Sequence, residues 1–358
     1  MRSVSITKID GVPGQVYYPL RTITSAMPTL DSTSVLLKIN AAALNHRDQF
    51  IRQHLYPGIS FGVPLGSDAV ARVVGLGTGV ADSQLLNKRV LIYPARGWVS
   101  AAQAPESEFS ILGGTKLYPT GTFADYVKIE SANLISPCPP HLDDIAAAAL
   151  PLAGLTAYRA LFTLGEVKPG MTVLITGSGG GVAMFAVQFA KAIGARVYVT
   201  SGSDEKLAFA RSKLQSDGGV LYTSKSWGAD LAVMFKANNI SGIDLVVDGA
   251  GGDSMNQVLR LMNLGSRYVS YGMTIKPELS FSMGAVLKHL VLLGSTMGSK
   301  REFDEMLELV SKYKIQPVVA KTVVGLDNLE DAFTALMDSH RLGKVVVIVN
   351  ERLAKSSI

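Results

Sequence analysis

A single cysteine, Cys138, stands in 358 residues, which excludes a disulfide framework and any four-cysteine zinc lobe. Charge of one sign is concentrated nowhere. The 34 Lys and Arg and the 29 Asp and Glu leave a net charge of +5, and no basic run is denser than Lys206–Lys213. Nucleic acid is therefore not an expected partner, whereas a modest positive balance suits a small anionic ligand. No export signal is expected either, because residues 1–8 (MRSVSITK) contain no apolar core. The uncharged stretch Pro169–Ala190 has a membrane-spanning length, but its centre reads Gly177-Ser178-Gly179-Gly180-Gly181. Each such glycine costs a helix interior about 1 kcal/mol relative to alanine, so the stretch reads as strand, turn and helix. The expectation is a cytoplasmic protein in a reducing compartment, with no membrane as a partner.

What is present is a chain 47% apolar and 18% charged, long enough for two domains with a core each. In the first third, Val35–Ile39, Ala69–Val74, Arg89–Tyr93 and Phe123–Ile129 are short strand-like runs bounded by Gly and Pro, as in a small β-barrel. Residues 97–121 read as a long loop. After Pro137-Cys138-Pro139-Pro140, Asp143 and Asp144 open an alanine-rich helix, and strands then alternate with helices. Strands are expected at Thr172–Thr176, Arg196–Thr200, Asp244–Asp248, Arg267–Tyr271 and Leu290–Leu293, and helices at Val182–Ile193, Asp204–Leu214 and Ser254–Met262. Such alternation gives a parallel sheet covered by helices on both faces, an α/β doubly wound domain. A helix at Glu302–Tyr313, a strand at Val318–Val324, a helix at Leu329–Met337 and a strand at Lys344–Val349 close the chain.

The strand at Thr172–Thr176 runs straight into the glycine turn and then a helix, with a second strand ending at Thr200. Glycines let backbone N–H groups approach a pyrophosphate, and the helix N-terminus adds a favourable dipole. The spacing is imperfect: with the helix setting the register, the three motif positions hold Ser178, Gly180 and Ala183. An ordinary tight turn is the alternative. No acid stands at the tip of Arg196–Thr200 to grip a ribose 2′-hydroxyl; Ser201-Gly202-Ser203 follow, with Lys206 beyond. Two hydroxyls and an ammonium suit a 2′-phosphate, so the expected cofactor is NADPH. Lys206 could instead solvate a helix face.

Several segments then resemble one family in one order. They are Ala43-Leu44-Asn45-His46-Arg47-Asp48, Pro64-Leu65-Gly66-Ser67-Asp68, Gly121-Thr122-Phe123-Ala124-Asp125-Tyr126-Val127, Leu150–Tyr158, the glycine turn and Gly343-Lys344-Val345-Val346-Val347. Over nearly its whole length the chain resembles the medium-chain dehydrogenase/reductases, in their zinc-independent, quinone-oxidoreductase-like or zinc-type alcohol dehydrogenase-like branch. The resemblance implies a GroES-like β-barrel catalytic domain (1–153, completed by 300–358), a Rossmann domain (154–299) and an active site in the cleft between them. It implies nicotinamide contacts from Asn45 and Thr156, and pyrophosphate contacts from Gly179, Gly180, Gly181 and Val182. Ser201, Ser203, Lys206 and Tyr222 would surround the 2′-phosphate. Gly249, Ala250, Tyr271, Gly272, Met297, Gly298, Ser299 and Lys344 would line the rest, although Tyr271 and Met297 could be strand-end packing and Lys344 a surface lysine. Zinc-dependent members carry Cys where Asn45 stands, His where Ser67 stands and Cys near Leu152; no metal is expected here, since Asp68 alone cannot hold a tetrahedral zinc. A homodimer is implied, pairing through Val291-Leu292-Leu293.

Without a Lewis acid, hydride delivery to an activated C=C is easier to support than alcohol oxidation, because hydrogen-bond donors can hold the developing enolate. The candidate donors are the Asn45 amide, the Ser67 hydroxyl and the Tyr56 phenol, with Tyr56 or water as the proton source. Asp48 reads as structural, with a general-acid role as the alternative. His46 and Arg47 either reach a phosphate or are solvated. Trp98, Phe109, Tyr118 and residues 283–287 could form an apolar mouth. The expected activity is NADPH-dependent reduction of an enone, quinone or enoyl substrate, a small electrophile, with a tailoring role in secondary metabolism as one setting. The alternatives are a zinc-free alcohol or aldehyde oxidoreductase, and a protein that binds NADPH without turnover.

Overall fold

The computed structural model describes residues 1–351. The chain divides into two compact units, one made of Met1–Leu152 with the segment from Ser299 onward, the other of Ala153–Gly298.

The first unit is built on a seven-stranded sheet. Its order runs Val319–Val324, Lys344–Ile348, Val35–Ala43, Asp68–Leu76, Arg89–Ile92 and Ile135–Pro137, and Tyr126–Ile129 also pairs with Val35–Ala43. Only Val319–Val324 and Lys344–Ile348 pair in parallel, joined through the helix Leu329–Met337; the other pairings are antiparallel. Alternating Val35, Leu37 and Ile39 meet Leu65, Ala71, Val90 and Phe123 in one apolar core, which Leu329 and Phe333 cover from the last helix. Burial at this scale, about 25 cal/mol per Å² of apolar surface, is what fixes strand register, since a one-residue slip would turn the apolar set outward.

The second unit holds a six-stranded parallel sheet ordered Gly218–Leu221, Arg196–Ser201, Thr172–Ile175, Ile243–Asp248, Met262–Ser270 and Val291–Gly294. The order reverses between Thr172–Ile175 and Ile243–Asp248, and in open α/β sheets ligands bind at the carboxyl ends of strands at such a switch. Among the elements absent from the sequence pattern are the strand Gly218–Leu221, at the edge of this sheet, and the helix Trp227–Ala237. Two glycines disguise the strand. A Cβ on Gly219 would lie 2.6 Å from the Val199 carbonyl oxygen, so close backbone approach demands glycine where the pattern asks for a branched residue. The helix expected over 254–262 is α-helical only to Val258 and tightens to a 3₁₀ turn at Leu259–Leu261, because Met262 already belongs to the next strand and to the apolar core. Among the described residues, no helix is long and apolar enough to cross a membrane.

Candidate active site

In the first unit, strand register gathers residues that are far apart in sequence. Ala43 pairs with Asp68 on one side and with Val346 on the other. One residue on, the Leu44 N–H donates to the Val345 carbonyl at 3.0 Å, and the next step brings Asn45 against Lys344. The Lys344 ammonium donates to Leu44 O (2.7 Å), Asn45 Oδ1 (2.5 Å) and Asp68 Oδ2 (3.0 Å). Asn45 Nδ2 donates to Asp68 Oδ2 at 2.9 Å, and the Leu152 N–H donates to Asp68 Oδ1 at 2.8 Å. Lys344 is 4% exposed and Asp68 fully buried, so the pair is a buried salt bridge. Removing one partner of such a pair leaves an uncompensated charge and costs about 3–5 kcal/mol.

A second layer lies beside it. Arg47 Nη1 donates to Ser67 Oγ (2.9 Å) and Leu112 O (2.7 Å), and Nη2 to Gly113 O (3.0 Å). The guanidinium carbon stands 4.5 Å from the centre of the Tyr56 ring, a cation–π contact in the loop that follows the helix His46–Arg52. Asp48 accepts from the Asn45 N–H at 2.8 Å and so fixes the start of that helix. Burial holds the Asp48 carboxyl above the ordinary range, with Arg47 opposing the shift.

These contacts correct several expectations. Ser67 gives its one proton to the Leu112 carbonyl at 2.8 Å and is fully buried, so it has nothing to donate to a substrate. Lys344 is no surface lysine, and its three protons are committed inside the cluster rather than to a cofactor. Arg47 is not solvated: it is 6% exposed, its two terminal nitrogens donate to Ser67 and two carbonyls, and only the buried Nε has no hydrogen-bond partner among the described residues. Ser299 caps the helix Lys300–Tyr313: its N–H and hydroxyl donate to Glu302 Oε2 at 2.6 and 2.8 Å. Trp98 anchors the 97–121 loop, packing edge-on against Phe109 and donating to Ala101 O at 2.7 Å. His46 remains exposed and rests on Phe50.

In the second unit, the turn after Thr172–Ile175 is built to leave room. Gly177 adopts φ +82°, and Gly180 is the last residue before the helix Gly181–Ala192. A Cβ on Gly177 or Gly180 would have no atom of the protein within 4 Å. The Ser178 hydroxyl is 1% exposed yet has no hydrogen-bond partner. The first N–H groups of the helix, from Gly181 and Val182 on, are unpaired by helix geometry. An open glycine turn, an orphaned hydroxyl and a helix N-terminus together fit a phosphate-bearing ligand. Asp248, at the end of the neighbouring strand, accepts from Thr176 Oγ1 (2.6 Å), Ala250 N (3.1 Å) and Gly251 N (3.0 Å). Gly249 N donates to Thr176 Oγ1 at 2.9 Å, so Gly249 and Ala250 can offer a ligand surface but no N–H.

Other expected contacts cluster in the same unit. Tyr222 N donates to Ser201 O at 2.9 Å, and its phenol lies over Gly202, where a Cβ would be 2.6 Å from the hydroxyl. Ser203 caps the helix Asp204–Lys213, accepting from the Lys206 N–H. The Tyr271 phenol sits over Gly249, and burial beside Asp248 raises its ionisation well above the ordinary value. Thr156 Oγ1 donates to Met297 Sδ at 3.9 Å, and Met297 itself holds a left-handed φ of +55° just before Gly298. Sequence reasoning missed the Lys344–Asp68 pair and the Ser178 orphan. The pair is separated by 276 positions and carries no spacing signal.

Two family models match this chain. The alcohol dehydrogenase GroES-like domain covers residues 31–140, and the zinc-binding dehydrogenase domain covers residues 181–312. A zinc-type alcohol dehydrogenase-like protein, YogA, of Leptosphaeria maculans is 44% identical over 92% of this chain and 94% of its own length. The chain belongs to the medium-chain dehydrogenase/reductase superfamily. It is an oxidoreductase with a GroES-like domain and a Rossmann domain, as in the superfamily. An acryloyl-coenzyme A reductase of Sulfurisphaera tokodaii is 29% identical, the match covering 94% of this chain and 98% of the relative. Among solved structures, an NAD-dependent alcohol dehydrogenase superposes with a TM-score of 0.83 at 30% identity, covering 98% of this chain and all of the other. A reductase and a dehydrogenase thus both resemble this chain over nearly its whole length.

Proposed function

We propose that this protein is an NADPH-dependent, zinc-independent reductase of an activated C=C bond, an enone, quinone or enoyl substrate. The observation that carries the reading is the Lys344 ammonium bonded to Asn45 Oδ1 and Asp68 Oδ2. Zinc does not fit this residue set. Asn45, Ser67 and Leu152 stand at the ligand positions the resemblance implies, and the one carboxylate there, Asp68, already neutralises a fixed organic cation. The zinc-binding dehydrogenase description of the family therefore names chemistry for which these residues are not built.

The chain's own residues supply holding and orientation. NADPH, when bound, supplies the hydride. As hydride reaches the β-carbon of a conjugated carbonyl, negative charge moves to the carbonyl oxygen, and an N–H of the Asn45 amide is the donor available to hold it. The α-carbon then takes a proton from the Tyr56 phenol or from water. The acryloyl-coenzyme A reductase among the relatives performs a reaction of this type. The NADPH preference rests on Ser201, Ser203, Lys206 and Tyr222 and on the absence of an acid at the end of the strand Arg196–Ser201. Gly179–Val182, Gly272, Met297 and Gly298 complete the proposed cofactor contacts, with Thr156 beside the nicotinamide. A homodimer fits the outer strand Val291–Gly294, which among the described residues pairs only with Met262–Ser270 and leaves Val291 and Leu292 37% and 38% exposed.

NADPH consumption against a panel of enones, quinones and enoyl thioesters tests the activity, with product analysis. Loss of the alkene supports the reading; an intact alkene with a new alcohol would favour a zinc-free carbonyl reductase, the reading closer to the NAD-dependent alcohol dehydrogenase neighbour. One stoichiometric equivalent of zinc by elemental analysis would overturn the metal-free assignment. For the cofactor, Lys206→Ala should weaken NADPH about tenfold and leave NADH nearly unchanged.

A further inference from the structure

The geometry points to Lys344 as a positioning residue that locks the Asn45 carboxamide in one orientation. This rests on the reading above, in which Asn45 holds the substrate oxygen. Asparagine amides can usually be turned over, exchanging oxygen and nitrogen. Here the partners forbid it. An ammonium can only donate and an ionised carboxylate can only accept. Lys344 Nζ lies 2.5 Å from Asn45 Oδ1, and Asp68 Oδ2 lies 2.9 Å from Asn45 Nδ2. Turning the amide over would set its NH₂ against the ammonium and its oxygen against the carboxylate, losing two charge-assisted hydrogen bonds for two repulsions.

Asn45 Nδ2 carries two protons, and one goes to Asp68. The other has no partner among the described residues, while the three protons of Lys344 and the proton of Ser67 are all committed. The lock therefore leaves one N–H of the Asn45 amide unspent, beside the unpartnered Nε of Arg47, and fixes which atom of the amide bears it. The 276-residue separation of Lys344 and Asp68 ties the orientation to the strand Lys344–Ile348, which returns late in the chain to pair with Val35–Ala43. Lys344 touches no substrate in this scheme; it acts through Asn45.

The test is a double-mutant cycle on alkene reduction, joined to a readout that needs no substrate. Asn45→Ala should lower kcat about 30-fold and change the NADPH Kd by less than about threefold. Lys344→Met should lower kcat by a similar factor, and the double variant should fall no more than about twofold below Asn45→Ala alone. Lys344→Met with Asp68→Asn removes both buried charges, so that folding is kept, and kcat should stay low because nothing then fixes the amide. In protein labelled with ¹⁵N-asparagine, the Asn45 side-chain proton held by Asp68 should exchange with solvent about tenfold slower or more than in the Lys344→Met/Asp68→Asn variant. Multiplying losses in the cycle, or a raised NADPH Kd with unchanged kcat in Lys344→Met, overturns the inference. Equal amide exchange in the two proteins overturns it as well. A wild-type protein that consumes NADPH with no alkene sinks the functional reading instead, and the exchange measurement still decides the lock.

Discussion

The Lys344 cluster and the turn after Thr172–Ile175 treat their buried polar groups differently. Around Lys344 the ammonium, the Asp68 carboxylate and the Ser67 hydroxyl are bonded to one another, to Asn45 and Arg47 and to carbonyls, and among the described residues only Arg47 Nε and Asp48 Oδ1 beside them lack a hydrogen-bond partner. At the turn, Ser178 is buried with its hydroxyl unpartnered, and the glycines beside it face open space. Buried polar groups are nearly always satisfied, because leaving one unpaired costs about 1–3 kcal/mol. A site that closes on itself contributes rigidity; a site that stays open keeps its donors for an occupant.

The sharpest way to break the closed side is Lys344→Met. Stability in urea should fall by about 3–5 kcal/mol, and adding Asp68→Asn should recover most of it, since the loss comes from a stranded carboxylate. Equal losses in single and double variants would mean that the lysine stem, not its charge, matters.

The open side is broken by Gly180→Leu. Its φ of −83° is ordinary for any residue, and its Cβ would meet nothing, so the melting temperature should move by no more than about 2 °C. NADPH affinity, measured by calorimetry, should drop about 100-fold or more, because the side chain fills the approach to the helix N-terminus. Affinity unchanged at intact stability would erase the contrast between the cluster and the turn.

How much of this was legible in the sequence follows the same division. The open turn is local: strand, glycines and helix are contiguous, and the pattern predicts them within a residue or two. The parallel sheet was readable for the same reason, except at Gly218 and Gly219, where close packing replaced the usual branched residues. The closed cluster is non-local. Lys344, Asp68 and Asn45 are single polar residues in three separate segments, and only strand register joins them. Hence Ser67 and Lys344 read as a substrate donor and a cofactor contact when the fold spends both internally.

Ser178→Ala sharpens the comparison with a smaller effect and opposite signs. Deleting an unpaired buried hydroxyl should leave the free protein as stable or up to about 1 kcal/mol more stable. The same change should weaken NADPH by a little over tenfold, the low end for one hydrogen bond to a charged group. Weakening of both would make Ser178 a structural hydroxyl and remove it from the open side.

The smallest effect belongs to a third arrangement, a group of backbone donors that the chain fills itself. Glu106 accepts from the N–H groups of Val99, Ser100 and Ala101 at 2.6 to 2.7 Å, in the loop where no metal-binding cysteine occurs. Those three donors, led by Ser100 and Val99, hold the carboxyl at about 2, down from an ordinary 4.5. A depressed carboxyl stabilises its fold above its unfolded value and loses that contribution as pH falls. Loop protection should therefore be full at neutral pH and fade below about pH 4.5 toward 2. Glu106→Gln should speed amide exchange at Val99–Ala101 at pH 7 about tenfold and leave NADPH affinity and global unfolding unchanged. The glycine turn and this loop both offer consecutive N–H groups to an anion, and only one keeps the place for a ligand. A Glu106→Gln protein with exchange unaltered at these amides would show that the carboxylate merely rests on a loop held by Trp98 and Phe109.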